Sequence, residues 1–258
     1  MSSFPDALWL NVSPALQGFD RPLLKYLSQQ VLIGKWEYSQ SLDEAISLQG
    51  ALVLLHDYLK HHDRPIHLLG HGTSGLLALL YARRHPTRVK TLTLLSVGVF
   101  PAVDWQAHYY AQLNLLPCSR EMLLTQTVYQ LFGYRSPPVT RELAKVLDQD
   151  LQSSLSPHTL YQRVSYEAGG ILAPLLVCGG QDDSVIDPHL LQGWLPWLKR
   201  ASKLKEIGND RLWQCPNERY FFHYFQPQRV GEQIVDFWLA QQRSQSLSHN
   251  LASANLNI

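Results

Sequence analysis

Cysteine is scarce in this chain, and so is charge. Three cysteines, Cys118, Cys178 and Cys215, stand far apart; pairing any two leaves one free, and their spacing fits no metal ligand set. The expectation is a cytoplasmic protein with reduced thiols, no metal and no cofactor. Charged residues make up 17 % of the sequence, 22 basic against 21 acidic, and a net charge of +1 provides no field to hold nucleic acid. The basic pairs Arg83-Arg84 and Lys199-Arg200 fall where helix C-termini are expected, and there a cation answers the helix dipole. No apolar run reaches the ~18 residues of a membrane span. The N-terminal stretch MSSFPDALWLNV lacks the basic region and apolar core of a secretion signal.

Apolar residues make up 45 % of the chain, enough for one sizeable core, and a single domain over residues 1–242 is expected. Residues 8–12 form a short apolar run that stops at Ser13-Pro14, the pattern of a strand entering a loop. Leu23, Leu24 and Leu27 repeat at helical spacing, and residues 30–36 read as extended. Ser41 followed by Glu44 resembles a capping box that opens a helix to about Lys60, burying Leu48, Leu52, Leu55 and Leu59. Next come a strand at 65–69, the turn Gly70-His71-Gly72-Thr73-Ser74-Gly75, a helix at 76–84 closed by Pro86, and a β-branched strand at 89–97. Strand, tight turn, helix and strand in that order predict a crossover unit of a parallel sheet.

From 101 to 169 the pattern turns helical, broken by proline and glycine and rich in aromatic residues. A core strand is expected at 171–179, a helix at 190–198 and a short strand at 203–207. A final amphipathic helix at 227–241 carries Val230, Ile234, Phe237 and Trp238 on one face. Residues 243–258, rich in Ser, Asn and Gln, are expected to form a disordered tail.

The segment from Leu68 to Pro86 resembles the nucleophile elbow of the α/β-hydrolase family, in the branch with small helical caps. The resemblance extends over about residues 8–242. It implies an α/β-hydrolase fold, a mostly parallel central sheet flanked by helices, with a helical cap inserted at about 101–169. In that family the turn reads Gly-His-Ser-x-Gly-Gly, which puts the nucleophile position on Gly72. The strand and loop from Leu175 to Pro188 resemble the family's acid-bearing segment and imply Asp183 as the triad carboxylate, while Asp187 before Pro188 reads more simply as a helix cap. Counting back from Pro227 puts the family's histidine position on Tyr220, with His223 the nearest histidine. Asn11-Val12-Ser13-Pro14 stands where the family places the His-Gly of its oxyanion loop, and Pro14 has no N–H to offer.

Glycine has no side chain with which to form an acyl-enzyme. Ser74 and Thr73 are the nearby hydroxyls, each displaced along the helix by ~1.5 Å of rise and ~100° of rotation per residue. A tyrosine, with a pKa near ~10, is no base at neutral pH. The candidate catalytic residues are therefore Ser74, Asp183 and His223. The candidate pocket residues are Ser13, His71, Gly72, Thr73, Trp105, Tyr109 and Tyr220. Two functions follow as expectations: a non-hydrolytic protein that binds a small apolar ligand or a protein partner, or an enzyme of this fold, esterase-type or an acid–base lyase, working with unusual residues.

Overall fold

The computed structural model describes residues 4–39, 47–199 and 210–255. Within it, strand β1 (Ala7–Asn11) shows how the sheet is covered. Its side chains alternate with period two, so Ala7 and Trp9 enter one core and Leu8 and Leu10 the other. All five residues are buried because helices lie against both faces, as a parallel sheet requires. The other strands are β2 (Ile33–Glu37), β3 (Ile66–His71), β4 (Val89–Leu95), β5 (Leu175–Gly180) and β6 (Arg211–Cys215). Their order is β2-β1-β3-β4-β5-β6, and every neighbouring pair is parallel.

Helix α1 (Gln17–Leu27) buries Leu23, Leu24 and Leu27 against the Trp9 face of the sheet. There it meets Val230, Ile234 and Phe237 of the last helix, α9 (Pro227–Asn255). The Leu8 face is covered by α2 (Leu48–Leu59) and α3 (Thr73–Arg84), which bury Leu52, Leu55, Leu77 and Tyr81. Each such side chain contributes about 1.5–3 kcal/mol of burial. Between β4 and β5, in the segment expected as a cap, lie α4 (Trp105–Leu115), α5 (Arg120–Phe132) and α6 (Pro137–Ser153). Helix α6 rests on the 3-10 turn Pro14–Leu16, and just past its end the Leu155 N–H donates to the Val12 carbonyl at 3.0 Å. Two short helices, α7 (Pro188–Gln192) and α8 (Phe222–Phe225), complete the body.

Several elements differ from expectation. The capping box at Ser41 and Glu44 and the strand at 203–207 lie outside the described residues. Helix α2 opens at Ser47, whose hydroxyl accepts from the Gly50 N–H at 3.1 Å. The strand beside β5 is β6, in a stretch between the strand expected at 203–207 and the final helix where no strand is expected. As an edge strand it is only half-buried along most of its length and shows no apolar run. The helix expected at 190–198 is α7 followed by a 3-10 turn, Leu195–Trp197, because Gly193 and Pro196 interrupt it. Helix α9 continues past residue 243, where a disordered tail was expected to begin, as far as Asn255. No glycine or proline follows Gly231 to stop it.

Candidate functional site

Strand β3 ends at His71 and α3 starts at Thr73, so the chain turns within one residue. Gly72 takes that turn at φ +52° and ψ −125°, in the left-handed half of backbone space that side chains disfavour. Its N–H donates to the Leu95 carbonyl at 2.9 Å and its carbonyl opens α3 by accepting from Leu76 at 3.0 Å. A Cβ on Gly70 would come within 2.6 Å of the Ser74 and Gly75 backbone, which keeps the turn narrow. The apex is Gly72, and Ser74 lies on the first turn of the helix.

The space above the apex is filled. A Cβ built on Gly72 falls onto the hydroxyl of Tyr220, so the phenol stands where the nucleophile's side chain would begin. Tyr220 is held by its own backbone: its carbonyl accepts from His71 Nε2 at 2.9 Å and from Ser96 Oγ at 2.8 Å. Burial pushes the phenol well above its ordinary pKa, and the carboxylates of Asp104, Asp183 and Asp150 push the same way. A hydrogen bond from the Trp105 N–H opposes them. The phenol remains protonated.

The neighbouring hydroxyls are already bonded. Ser74 Oγ accepts from the Val12 N–H at 3.0 Å, and the Ser13 N–H donates to Asn11 Oδ1 at 2.8 Å. The two main-chain donors that follow β1, in the loop where the resemblance puts the oxyanion site, are thus satisfied within the protein. Thr73 Oγ1 donates to Asp104 Oδ2 at 2.6 Å, and the other oxygen of Asp104 caps α4 by accepting from Ala107.

His223 is fully buried and does not meet Asp183. Its Nε2 donates to Asp20 Oδ1 at 3.1 Å, and Asp20 Oδ2 accepts from Trp9 Nε1 at 3.0 Å. The His71 ring lies 4.4 Å from that of His223, centroid to centroid. Burial lowers both histidines to about 3. His71 also lines the small cavity described below. Burial raises Asp20 to about 6, against the pull of His71 and the Trp9 bond. Asp183 turns its Oδ1 to the N–H groups of Val185 (2.8 Å) and Ile186 (3.1 Å), while its Oδ2 has no partner. Burial raises it to about 6 as well, opposed by those two bonds and by Arg219. Among the described residues, none of Ser74, Asp183 and His223 hydrogen-bonds to another of the three.

Asp20, Trp9 and Asp104 escaped the sequence reading. Asp20 carried a signal, since it precedes Leu23, Leu24 and Leu27 by three, four and seven residues and so lies on the apolar stripe of α1. A carboxylate there is buried and needs partners.

The cavity at this place measures about 20 Å³ and is lined by Asp20, His71, Gly72, Thr73, Ser74 and Tyr220, with Ser13 and Trp105 among the remaining wall residues. That is room for about one water, whereas ligand pockets run to roughly 300–1,000 Å³. Tyr220 and Trp105 are among the side chains that bound the cavity. Tyr109 does not line the cavity; it is buried within α4 beside Trp105 and Tyr110. Among the described residues no group of three His, Cys, Asp or Glu side chains could hold a metal, and no helix is long and apolar enough to cross a membrane.

A parallel sheet covered on both faces, with a one-residue elbow between β3 and α3, makes this an α/β-hydrolase-fold protein. Solved structures agree on the fold. A meta-cleavage product hydrolase from Pseudomonas fluorescens IP01 superposes with a TM-score of 0.64 at 14 % identity, covering 91 % of this chain and 90 % of that one. Naproxen esterase from Bacillus subtilis gives 0.65 at 17 % identity, covering 92 % and 85 %. No family model matches the sequence. The chain belongs to the same family as two cyanobacterial proteins. Uncharacterized protein sll0249 of Synechocystis sp. is 45 % identical over 241 residues, 93 % of each chain, and uncharacterized protein alr2406 of Nostoc sp. is 42 % identical over 238 residues, 92 % of each.

Proposed function

We propose that this protein has given up hydrolysis and acts by binding a protein partner. The observation that carries the reading is the Tyr220 hydroxyl in the place of a nucleophile's Cβ above Gly72. Covalent catalysis needs a nucleophile, a base within hydrogen-bonding reach and donors for the oxyanion. Here the apex has no side chain, His223 is held by Asp20 and His71 by the Tyr220 carbonyl, and the Val12 and Ser13 N–H groups are bonded to Ser74 and Asn11. The triad is degenerate in this reading, residues 1–242 act as one domain with the helices of 101–169 as its cap, and the protein works in the cytoplasm.

A partner of protein kind is favoured over a small ligand for two reasons. The cavity holds about 20 Å³, and the helical insertion exposes large apolar side chains, with Leu115 at 78 %, Met122 at 64 % and Tyr161 at 94 %. The test is turnover of p-nitrophenyl acetate and butyrate. The expected rate equals that of an Asp183→Ala variant. Saturable turnover that disappears in Asp183→Ala or Asp20→Ala would overturn the proposal.

The rival reading is an enzyme of this fold, esterase-type or an acid–base lyase, that uses other residues. It is favoured by the Asp20–His223 pair, because Asp20 also faces the cavity. Tyr220 would then have to swing aside to admit a substrate, and Asp20→Asn would abolish the activity.

A further inference from the structure

Beneath α6 lies a second buried polar group. Asp150 is fully buried on that helix. Gln106 Nε2 of α4 donates to its Oδ2 at 2.9 Å and also reaches Ser154 Oγ at 2.8 Å. The other atoms of this pair, Asp150 Oδ1 and Gln106 Oε1, are both buried and have no partner. Both are acceptors, so neither can satisfy the other while Asp150 is ionised. A proton on the carboxyl turns one of its oxygens into a donor, which leaves fewer buried acceptors without a hydrogen.

We infer that Asp150 is a proton-dependent latch: as a neutral acid paired with the Gln106 amide it fastens α6 to α4 and to the sheet body, and loss of its proton loosens the insertion.

The groups around Asp150 offer its charged form hydrogen bonds but, among the described residues, no cation. From α4 come Gln106, Tyr110 and, at its N-terminus, the carboxylate of Asp104. The loop after β1 brings Ser13, the end of α6 brings Ser154, and the loop after β6 brings Tyr220. On α5, Arg120 pairs with Asp148 on the exposed side of α6. Burial raises Asp150 to about 7 and Asp104 adds to the shift, while the Gln106, Ser13 and Ser154 bonds oppose it. The latch has a mechanical route to the elbow. Leu155, just beyond α6, bonds the Val12 carbonyl, and the Val12 N–H bonds Ser74 on the first turn of α3.

The sign follows from the raised pKa. The closed insertion holds the proton more tightly than the open one, so closure is firmest at low pH and weakens as pH rises through about 7. Hydrogen exchange over residues 137–155, corrected for intrinsic rates, tests this on the full chain. With an open-state carboxyl near ~4, the opening constant should rise about tenfold between about pH 6 and about pH 8. In Asp150→Asn, which keeps the paired geometry without a titrating proton, that rise should vanish. An equal rise in wild type and variant, or none in wild type, overturns the inference. Should the variant not fold, carboxyl-carbon NMR of the wild type decides: an aspartate midpoint near about pH 7 supports the latch, and none above about 6.5 rejects it.

Discussion

Asp20 and Asp150 are both buried carboxylates on the apolar face of a helix, yet their surroundings are opposite. Behind the elbow, each oxygen of Asp20 receives a donor, one from Trp9 and one from His223. Beneath α6, one oxygen of Asp150 receives Gln106 and the other receives nothing. Burial raises both carboxyls, Asp20 to about 6 and Asp150 to about 7, but the donors that meet them differ. The difference teaches how each helix is held: Asp20 ties α1 to β1 and α8 through two donors, while Asp150 ties α6 to α4 through one.

Removing the carboxylates sharpens this comparison most. Asp20→Ala strands the Trp9 N–H and His223 together and should cost about 4 kcal/mol of unfolding free energy. Asp150→Ala leaves Gln106 Nε2 with Ser154 and should cost about 1–2 kcal/mol. Urea denaturation at one pH reads both, and equal losses would break the distinction. The Asp20 term also depends on pH. Its raised pKa means that its stabilisation is complete below about 4 and is lost as pH rises through about 6, so the cost of Asp20→Asn should shrink across that window.

Gly72→Ser comes next, at about 3 kcal/mol, because a side chain at this φ is strained and the new Cβ meets Tyr220. Tyr220→Ala, costly in itself because the ring is buried, should cost less in the Gly72→Ser background than in the wild type, since it opens space for the new side chain. Equal costs in the two backgrounds would show that the phenol does not set the limit. Ser74→Ala should cost about as little as Asp150→Ala, about 1–2 kcal/mol, from the orphaned Val12 N–H. If Ser74→Ala changed any measurable hydrolysis more than it changed stability, the elbow would hold a working nucleophile and the comparison would need redrawing.

Much of the body is legible from sequence. Leu8-Trp9-Leu10 is apolar on both faces as a buried parallel strand must be, Val230, Ile234 and Phe237 mark the inner side of α9, and Asp187 before Pro188 announces the cap of α7. The β6 strand is not legible, because an edge strand with one covered side can be built from Arg, Leu, Trp and Gln. Of the site, the carboxylates on apolar stripes could have been found: Asp20 precedes Leu23 and Leu24, and Asp150 follows Leu143 and Leu147 at helical intervals. Their partners could not. His223 lies 203 residues from Asp20 in the chain, and no local spacing links them.

The sequence by itself determined that the turn from β3 into α3 is centred on a residue without a side chain, since the absence of a Cβ is a covalent fact. Only the tertiary structure decided what stands above it. Tyr220 reaches Gly72 because β3, β4 and the loop after β6 converge on one point, where the Tyr220 carbonyl binds His71 and Ser96 together. Backbone preference is local and can be read residue by residue, whereas occupation of a space depends on every segment that borders it.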